Sequence, residues 1–234
     1  MILAIETATH VCSVALGHSF EDAAEMRTEE HGSHSEKLFE FIQSLVQQKN
    51  SSLEHIDAVV VSAGPGSYTG LRIAASGLKG LLFRNENDTA LYKADTLASF
   101  GISTRLANDD HRIKPNTVHA VIDARRKHLY YRSFKVKANN PQYLLSDQAV
   151  DVVELDKINS LIQPGDLLVG TGISRLDSAM TSMESIHTFG DEVISARGLI
   201  ALYNRAFDKR RKEHMGQDYL KLTKPELFTP RYVR

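Results

Sequence analysis

The 234-residue chain has one cysteine, no tryptophan, six prolines and almost no net charge, and each shortage narrows what it can be. Cys12 has no second cysteine to pair with, so an internal disulfide and a cysteine-rich metal site are both excluded, and a reducing compartment is expected. No apolar run approaches the ~18 residues that cross a bilayer. The opening MILAIETATHVCSVAL carries no basic leader and is interrupted by Glu6 and His10, so it reads as neither secretion signal nor membrane anchor, and a cytoplasmic location is expected. With 28 Lys and Arg against 29 Asp and Glu, the chain cannot bind nucleic acid through overall charge. Residues 205–234 are locally basic, with nine cations and four acids, and this end reads either as a solvated helix end or as a patch for RNA or an acidic partner. The 42% of hydrophobic residues is ordinary for a globular protein, and a chain of this length buries roughly 70% of its unfolded surface without a covalent staple.

Hydrophobic periodicity outlines an alternation of strands and helices. Residues 2–6 and 12–16 read as two strands of a hairpin around a polar Thr-rich turn. Residues 34–49 place Leu38, Phe41, Ile42, Leu45 and Val46 on one helical face, and Ser33 with Glu36 has the spacing of a capping box. Residues 57–63, DAVVVSA, form a continuous β-branched run, the pattern of a strand covered on both faces in a parallel sheet. Residues 71–83 read as a helix rich in small residues. Gly77 and Gly80 in its interior cost about 1 kcal/mol each relative to alanine, so close approach by another element is expected, either this chain's own sheet or a second protein.

A strand at 90–93 and a helix at 96–107 follow. The polar, proline-bearing stretch NDDHRIKPNT at 108–117 is the expected linker, dividing the chain into lobes 1–107 and 108–234. The second half then repeats the first in pattern: strands at 118–123 and 128–136, a helix at 155–162, a strand at 167–170 running into GTG, and an amphipathic helix at 196–212. Each half begins with a strand that ends in an acid, Glu6 or Asp123.

Several motifs carry chemistry in principle. Gly64-Pro65-Gly66-Ser67-Tyr68-Thr69-Gly70-Leu71-Arg72 lies between a strand and a helix, where glycines let backbone N–H groups approach an anion. Its spacing does not fit a Walker motif, and a structural turn and an anion site both remain open. Glu6, followed by Thr7, and Asp123 occupy strand ends where carboxylates hold magnesium or water near phosphates; capping of the hairpin turns is the plainer reading. Among ten histidines, His31 and His34 at i and i+3 have no third ligand in view, so no metal site is assigned. Ser67 lies in no G-x-S-x-G elbow and Cys12 lies in a strand, so no catalytic nucleophile is assigned either.

Together ILAIETATHVCSVAL, HSEKL, GPGSYTGLRIA, VIDARRKHLYY, VGTG and PRYVR resemble the bacterial TsaB family in order along most of the chain, least so over 137–164. The resemblance implies an α/β chain of the two-lobed actin-like, sugar-kinase-like fold, with a mixed sheet flanked by helices in each lobe. It implies a non-catalytic accessory subunit that binds and activates the paralogue TsaD, together with the ATPase TsaE, in threonylcarbamoylation of the adenosine next to the anticodon in tRNA. Glu6 stands where the family's strand-ending turn carries aspartate.

On this reading the partner-binding residues are Leu38, Ile42, Leu71, Ala74, Ala75, Gly77, Leu78 and Leu82, with homodimerisation through the same surface when TsaD is absent. The chain has no cofactor of its own; ATP or ADP belongs at the interface with TsaD, and the residues placed to contact it are Glu6, Thr7, Gly64, Gly66, Ser67, Arg72 and Asp123. For tRNA the expected contacts are Arg125, Arg126 and Lys127 and the run Lys209, Arg210, Arg211 and Lys212. The alternative is a stand-alone kinase or ATPase of the same fold, acting through the Glu6, Gly64–Arg72 and Asp123 elements.

Overall fold

The computed structural model describes residues 1–83, 89–107, 115–137, 140–145, 148–177, 186–207 and 219–233. The first hairpin forms as its pattern requires: β1 (Ile2–Glu6) and β2 (Cys12–Gly17) are antiparallel, and β3 (Ala24–Thr28) extends the meander. Helix α1 (His34–Gln48) leads to β4 (Ala58–Ser62), which pairs parallel with β1. Helix α2 (Tyr68–Phe83) leads to β5 (Ala90–Ala94), parallel to β4, and α3 (Thr96–Ala107) follows.

The second half repeats this scheme. Strands β6 (Thr117–Asp123) and β7 (His128–Lys137) form an antiparallel hairpin, with β8 (Asn140–Leu145) and β9 (Asp151–Glu154) both paired to β7. After the single helical turn α4 (Leu155–Ile158), β10 (Leu167–Val169) pairs parallel with β6, and β11 (His187–Phe189) with β10. In both sheets a central strand, β1 or β6, is antiparallel to its hairpin partner on one side and parallel to a later strand on the other.

The last described helix, α5 (Arg197–Phe207), and β12 (Leu220–Thr223) return to the first sheet, where β12 pairs antiparallel with β5. The sheet orders are β12-β5-β4-β1-β2-β3 and β11-β10-β6-β7-β8. The expected division at 107/108 therefore leaves α5 and β12 on the wrong side. A boundary inferred from one polar stretch cannot reveal a segment that comes back to complete an earlier sheet. Most of that stretch, 108–114, lies outside the described residues, as does the part of the last predicted helix beyond 207.

Strand alternation explains the layering. Leu3, Ile5, Val59 and Val61 face α1 and α2, whereas Ile2, Ala4 and Val60 face a central core shared with α3, α5 and the second sheet. Val118, Ala120 and Ile122 point into that centre, while Val121 points to an outer cluster with Leu129, Ile158 and Ile162. Helices α3 and α5 pack on each other, α3 against strands of the second sheet and α5 against strands of the first. Each half thus sends its closing helix to the other half's sheet, which ties the lobes together. No helix among the described residues is long and apolar enough to cross a membrane.

Two local expectations fail for identifiable reasons. Ser33 sits at the start of α1 but has helical backbone angles, and its hydroxyl turns back to the Glu30 carbonyl at 2.7 Å, so the capping box with Glu36 does not form. Residues 155–162 give only one helical turn before a run of tight turns into β10.

Candidate functional site

The glycine-rich loop between β4 and α2 is packed, not open. Ser67 N donates to the Ala8 carbonyl at 2.6 Å, Gly64 N to Thr96 Oγ1 at 3.1 Å, and Gly70 N to Ser67 Oγ at 3.2 Å. A Cβ at Gly66 would fall on the Ala8 carbonyl oxygen, and one at Gly70 on that of Thr7. The glycines are there because the loop lies directly against the β1–β2 turn, and Gly64 (φ +112) and Gly66 (φ +154) also have backbone angles that L side chains rarely adopt. Three of the N–H groups that would cradle a phosphate are spent inside the protein.

The acids that the sequence places beside this loop are equally occupied. Glu6 is fully buried; Oε1 accepts from Ala8 N at 2.7 Å, and Oε2 has no hydrogen-bond partner. Loss of hydration pushes its carboxyl up to about 7, only partly opposed by the Ala8 N–H and the Ser62 and Ser99 hydroxyls. Thr7 Oγ1 donates to the Gly70 carbonyl at 3.0 Å. Asp123 is paired with Arg175 at 2.6 Å and accepts from Arg125 N at 2.8 Å. Cys12 is buried, and desolvation pushes its thiol up to about 12, the opposite of an activated nucleophile. Glu6, Thr7, Gly64, Gly66 and Ser67 are therefore brought together as a structural lock between β1, β4 and α2, while Asp123 belongs to a separate hairpin.

The expected docking residues need a larger correction. Leu38, Ile42, Leu71, Ala74, Ala75 and Leu78 all lie in the chain's own core against the first sheet, and Leu82 packs against its margin. The small residues of α2 let it settle on its own sheet. What faces outward is the adjoining row of the same two helices. Phe39, 46% exposed, and Tyr68, 53% exposed, flank a groove of about 630 Å³ that also includes Ile73, Ser76 and Gly77. Only Gly77 of the expected set lines it; a Cβ there would meet Phe39 at 3.1 Å and Leu38 at 3.3 Å, so a side chain would fill the floor.

Arg72 belongs to this surface. Its guanidinium stacks 3.9 Å over the Tyr68 ring, and Nε donates to the Tyr232 hydroxyl at 3.3 Å. Tyr232 in turn lies 5.1 Å from Tyr68 between ring centroids, so it pins its segment against the start of α2. Phe39 and Ile73 were legible in one respect: each is a large apolar residue displaced by one position from a buried residue of its helix, Leu38 or Ala74. Among the described residues no group of three or more His, Cys, Asp or Glu side chains is placed to hold a metal ion.

Two sheets with duplicated mixed topology and helices exchanged between them define a two-lobed α/β protein of the actin-like, sugar-kinase-like fold. Residues 28–214 match the family model TsaD, tRNA N6-adenosine threonylcarbamoyltransferase, and the chain belongs to that family, with curated relatives that carry the name TsaB. One of these, tRNA threonylcarbamoyladenosine biosynthesis protein TsaB of Escherichia coli K12, is 32% identical over 143 residues, which cover 59% of this chain and 56% of that protein. The Bacillus subtilis protein of the same name is 29% identical over 150 residues, covering 64% and 61%. The chain thus aligns with a little over half the length of these two relatives. YeaZ from Pseudomonas aeruginosa, a solved structure, superposes with a TM-score of 0.75 at 20% identity over 99% of both chains, a likeness of fold.

Proposed function

We propose that the chain is a non-catalytic accessory subunit that docks on TsaD and, with TsaE, supports threonylcarbamoylation of tRNA at the adenosine next to the anticodon. The observation that carries this reading is the α1–α2 groove. It places exposed aromatic and arginine side chains, the residue types that dominate interface energetics, around an apolar depression with a small-residue floor. Phe83, 88% exposed at the end of α2, extends the apolar surface. An amphipathic helix of the larger relative fits such a surface, and a second copy of this chain would occupy it when TsaD is absent.

The stand-alone kinase or ATPase reading has no observation in its favour. Its acid at the first turn is sealed from solvent, its loop N–H groups are bonded internally, and its second acid is held by an arginine. ATP or ADP in this system belongs with the assembled partners, at the interface with TsaD.

Co-expression with TsaD is expected to give a stable pair by size exclusion with mass measurement. The Phe39→Ala, Tyr68→Ala double variant is expected to weaken that pair at least about 30-fold, the size of one hot-spot loss, while its melting temperature stays close to native because both rings are half exposed. Gly77→Leu should weaken it as well, by filling the groove floor and displacing Phe39. Native affinity in both variants would exclude this surface as the dock, and rapid nucleotide turnover by the isolated chain would overturn the accessory role altogether.

A further inference from the structure

The tip of the β6–β7 hairpin carries Arg125, Arg126 and Lys127 in succession, all exposed. Among the described residues none of the three side chains is in an ion pair. The acids that the contacts place beside the turn are each matched with another cation: Asp123 with Arg175 at 2.6 Å, and Glu154, which lies opposite His128 in the β7–β9 ladder, with Lys157 at 3.2 Å. Two neutralised pairs therefore surround three uncompensated positive charges.

The backbone beneath them is held in one shape. Asp123 Oδ1 accepts from Arg125 N at 2.8 Å, His128 N donates to the Arg125 carbonyl at 3.1 Å, Arg175 donates to the Arg126 carbonyl, and Leu155 N to the Lys127 carbonyl at 2.9 Å. Arg125 (φ 71) and Arg126 (φ 53) both adopt left-handed angles. At such positions an L side chain costs about 1–2 kcal/mol each and glycine almost nothing. Folding alone gains nothing from arginine at this turn, and the two guanidinium groups point to a requirement for charge at a preorganised tip.

We propose that this tip grips the phosphate backbone of the tRNA held by the assembled complex; the proposal rests on the function argued above. Two guanidinium groups suit bidentate contact with phosphate oxygens, and a lysine suits a point charge beside them. Contacts of this kind position an RNA without reading its sequence.

The test measures binding of a labelled unmodified tRNA to the purified pair of this chain and TsaD across about 50 to 200 mM salt. Replacing Arg125, Arg126 and Lys127 together by glutamine should lower affinity about 100-fold near 0.1 M salt and make the slope of log K on log salt less steep by about 2 to 3. The double variant Arg125→Gly, Arg126→Gly supplies a readout that a purely structural turn would not: its melting temperature should hold or rise as the left-handed positions are relieved, while the salt slope falls by about 2. If both variants still pair with TsaD and keep the native slope, the tip does not touch RNA. An unchanged slope with loss of TsaE from the complex would assign the tip to an acidic protein surface and overturn the proposal. A native pair that forms but binds no tRNA would overturn it too, whereas failure of the native pair to form would strike first at the docking reading.

Discussion

Replacing Asp95 by alanine is expected to destabilise the protein by about 3–5 kcal/mol, the range found when one member of a buried ion pair is removed. Asp95 follows β5 of the first sheet and is almost fully buried; its Oδ2 lies 2.7 Å from Arg132 on β7 of the second sheet. The same carboxylate accepts from Ala98 N through Oδ1 at 2.9 Å, capping the first turn of α3. One side chain therefore joins the two lobes and starts the helix between them. Alanine would leave the Arg132 guanidinium, itself 7% exposed and with its Nε already unpartnered, facing Tyr219 and Phe134 without a counter-charge, and would remove the carboxylate that separates it from the positive charge of Arg231.

The discriminating comparison is Asp95→Asn, whose single acceptor oxygen can serve the Ala98 N–H or Arg132 but not both. Denaturant melts should place it between alanine and native. Asp95→Asn combined with Arg132→Met should recover part of the loss, since an apolar side chain of similar length costs nothing electrostatically. Equal stability of native and Asp95→Ala would mean that this ion pair does not hold the lobes together.

Glu6→Gln should make the protein more stable at alkaline pH, by an amount that vanishes in acid. Glu6 binds its proton more tightly when folded, with the carboxyl pushed from 4.5 to about 7 by burial. Below pH 4.5 both states are protonated and the group is neutral in the balance. As pH rises from 4.5 to 7 the unfolded chain releases its proton while the folded chain keeps it, so stability falls; above 7 the full penalty, about 3 kcal/mol, is present. Glutamine cannot ionise. The difference in unfolding free energy between variant and native should therefore shift by about 3 kcal/mol in favour of the variant between pH 4 and pH 8. A difference that stays constant with pH would show that Glu6 titrates as an ordinary glutamate. The same burial explains why a strand-end acid, suggestive of a magnesium site in sequence, behaves here as part of a lock between β1, β4 and α2.

Much of the architecture was legible because its signals are local. The DAVVVSA run marked a strand covered on both faces, and β4 has its two faces in two separate cores. The short apolar run Ile2, Leu3, Ala4 and Ile5 marked β1, and the stripe of Leu38, Phe41, Ile42 and Leu45 marked the buried face of α1. The repeated hairpin ending in Glu6 or Asp123 foretold the duplicated sheets. The short strands β3 and β12 gave no comparable signal, being partly exposed edge strands whose pairing is settled by what lies beside them.

The residues named for docking were placed on the wrong faces of their helices. The helices expected to dock do present the groove, but an amphipathic stripe has the same period whether its apolar face meets its own sheet or a partner, so Leu38 and Leu78 were assigned outward when they point inward. The glycines of the GPGSYTGLR loop, read as letting N–H groups approach an anion, are approached within this chain by carbonyls: Gly66 and Gly70 by the Thr7–Ala8 turn and Gly64 by Arg231.

The order of residues by itself determined most of the elements, the two-lobed repetition, the single inert cysteine and the kinship with TsaB, because propensity, periodicity and motif identity are properties of neighbouring positions. Only the tertiary structure decided which helix rows meet solvent, that α5 and β12 return to the first sheet, and that Glu6 is sealed while Arg125, Arg126 and Lys127 stand clear. Those outcomes depend on desolvation and on packing between residues far apart in the chain, and neither quantity exists until the chain has folded.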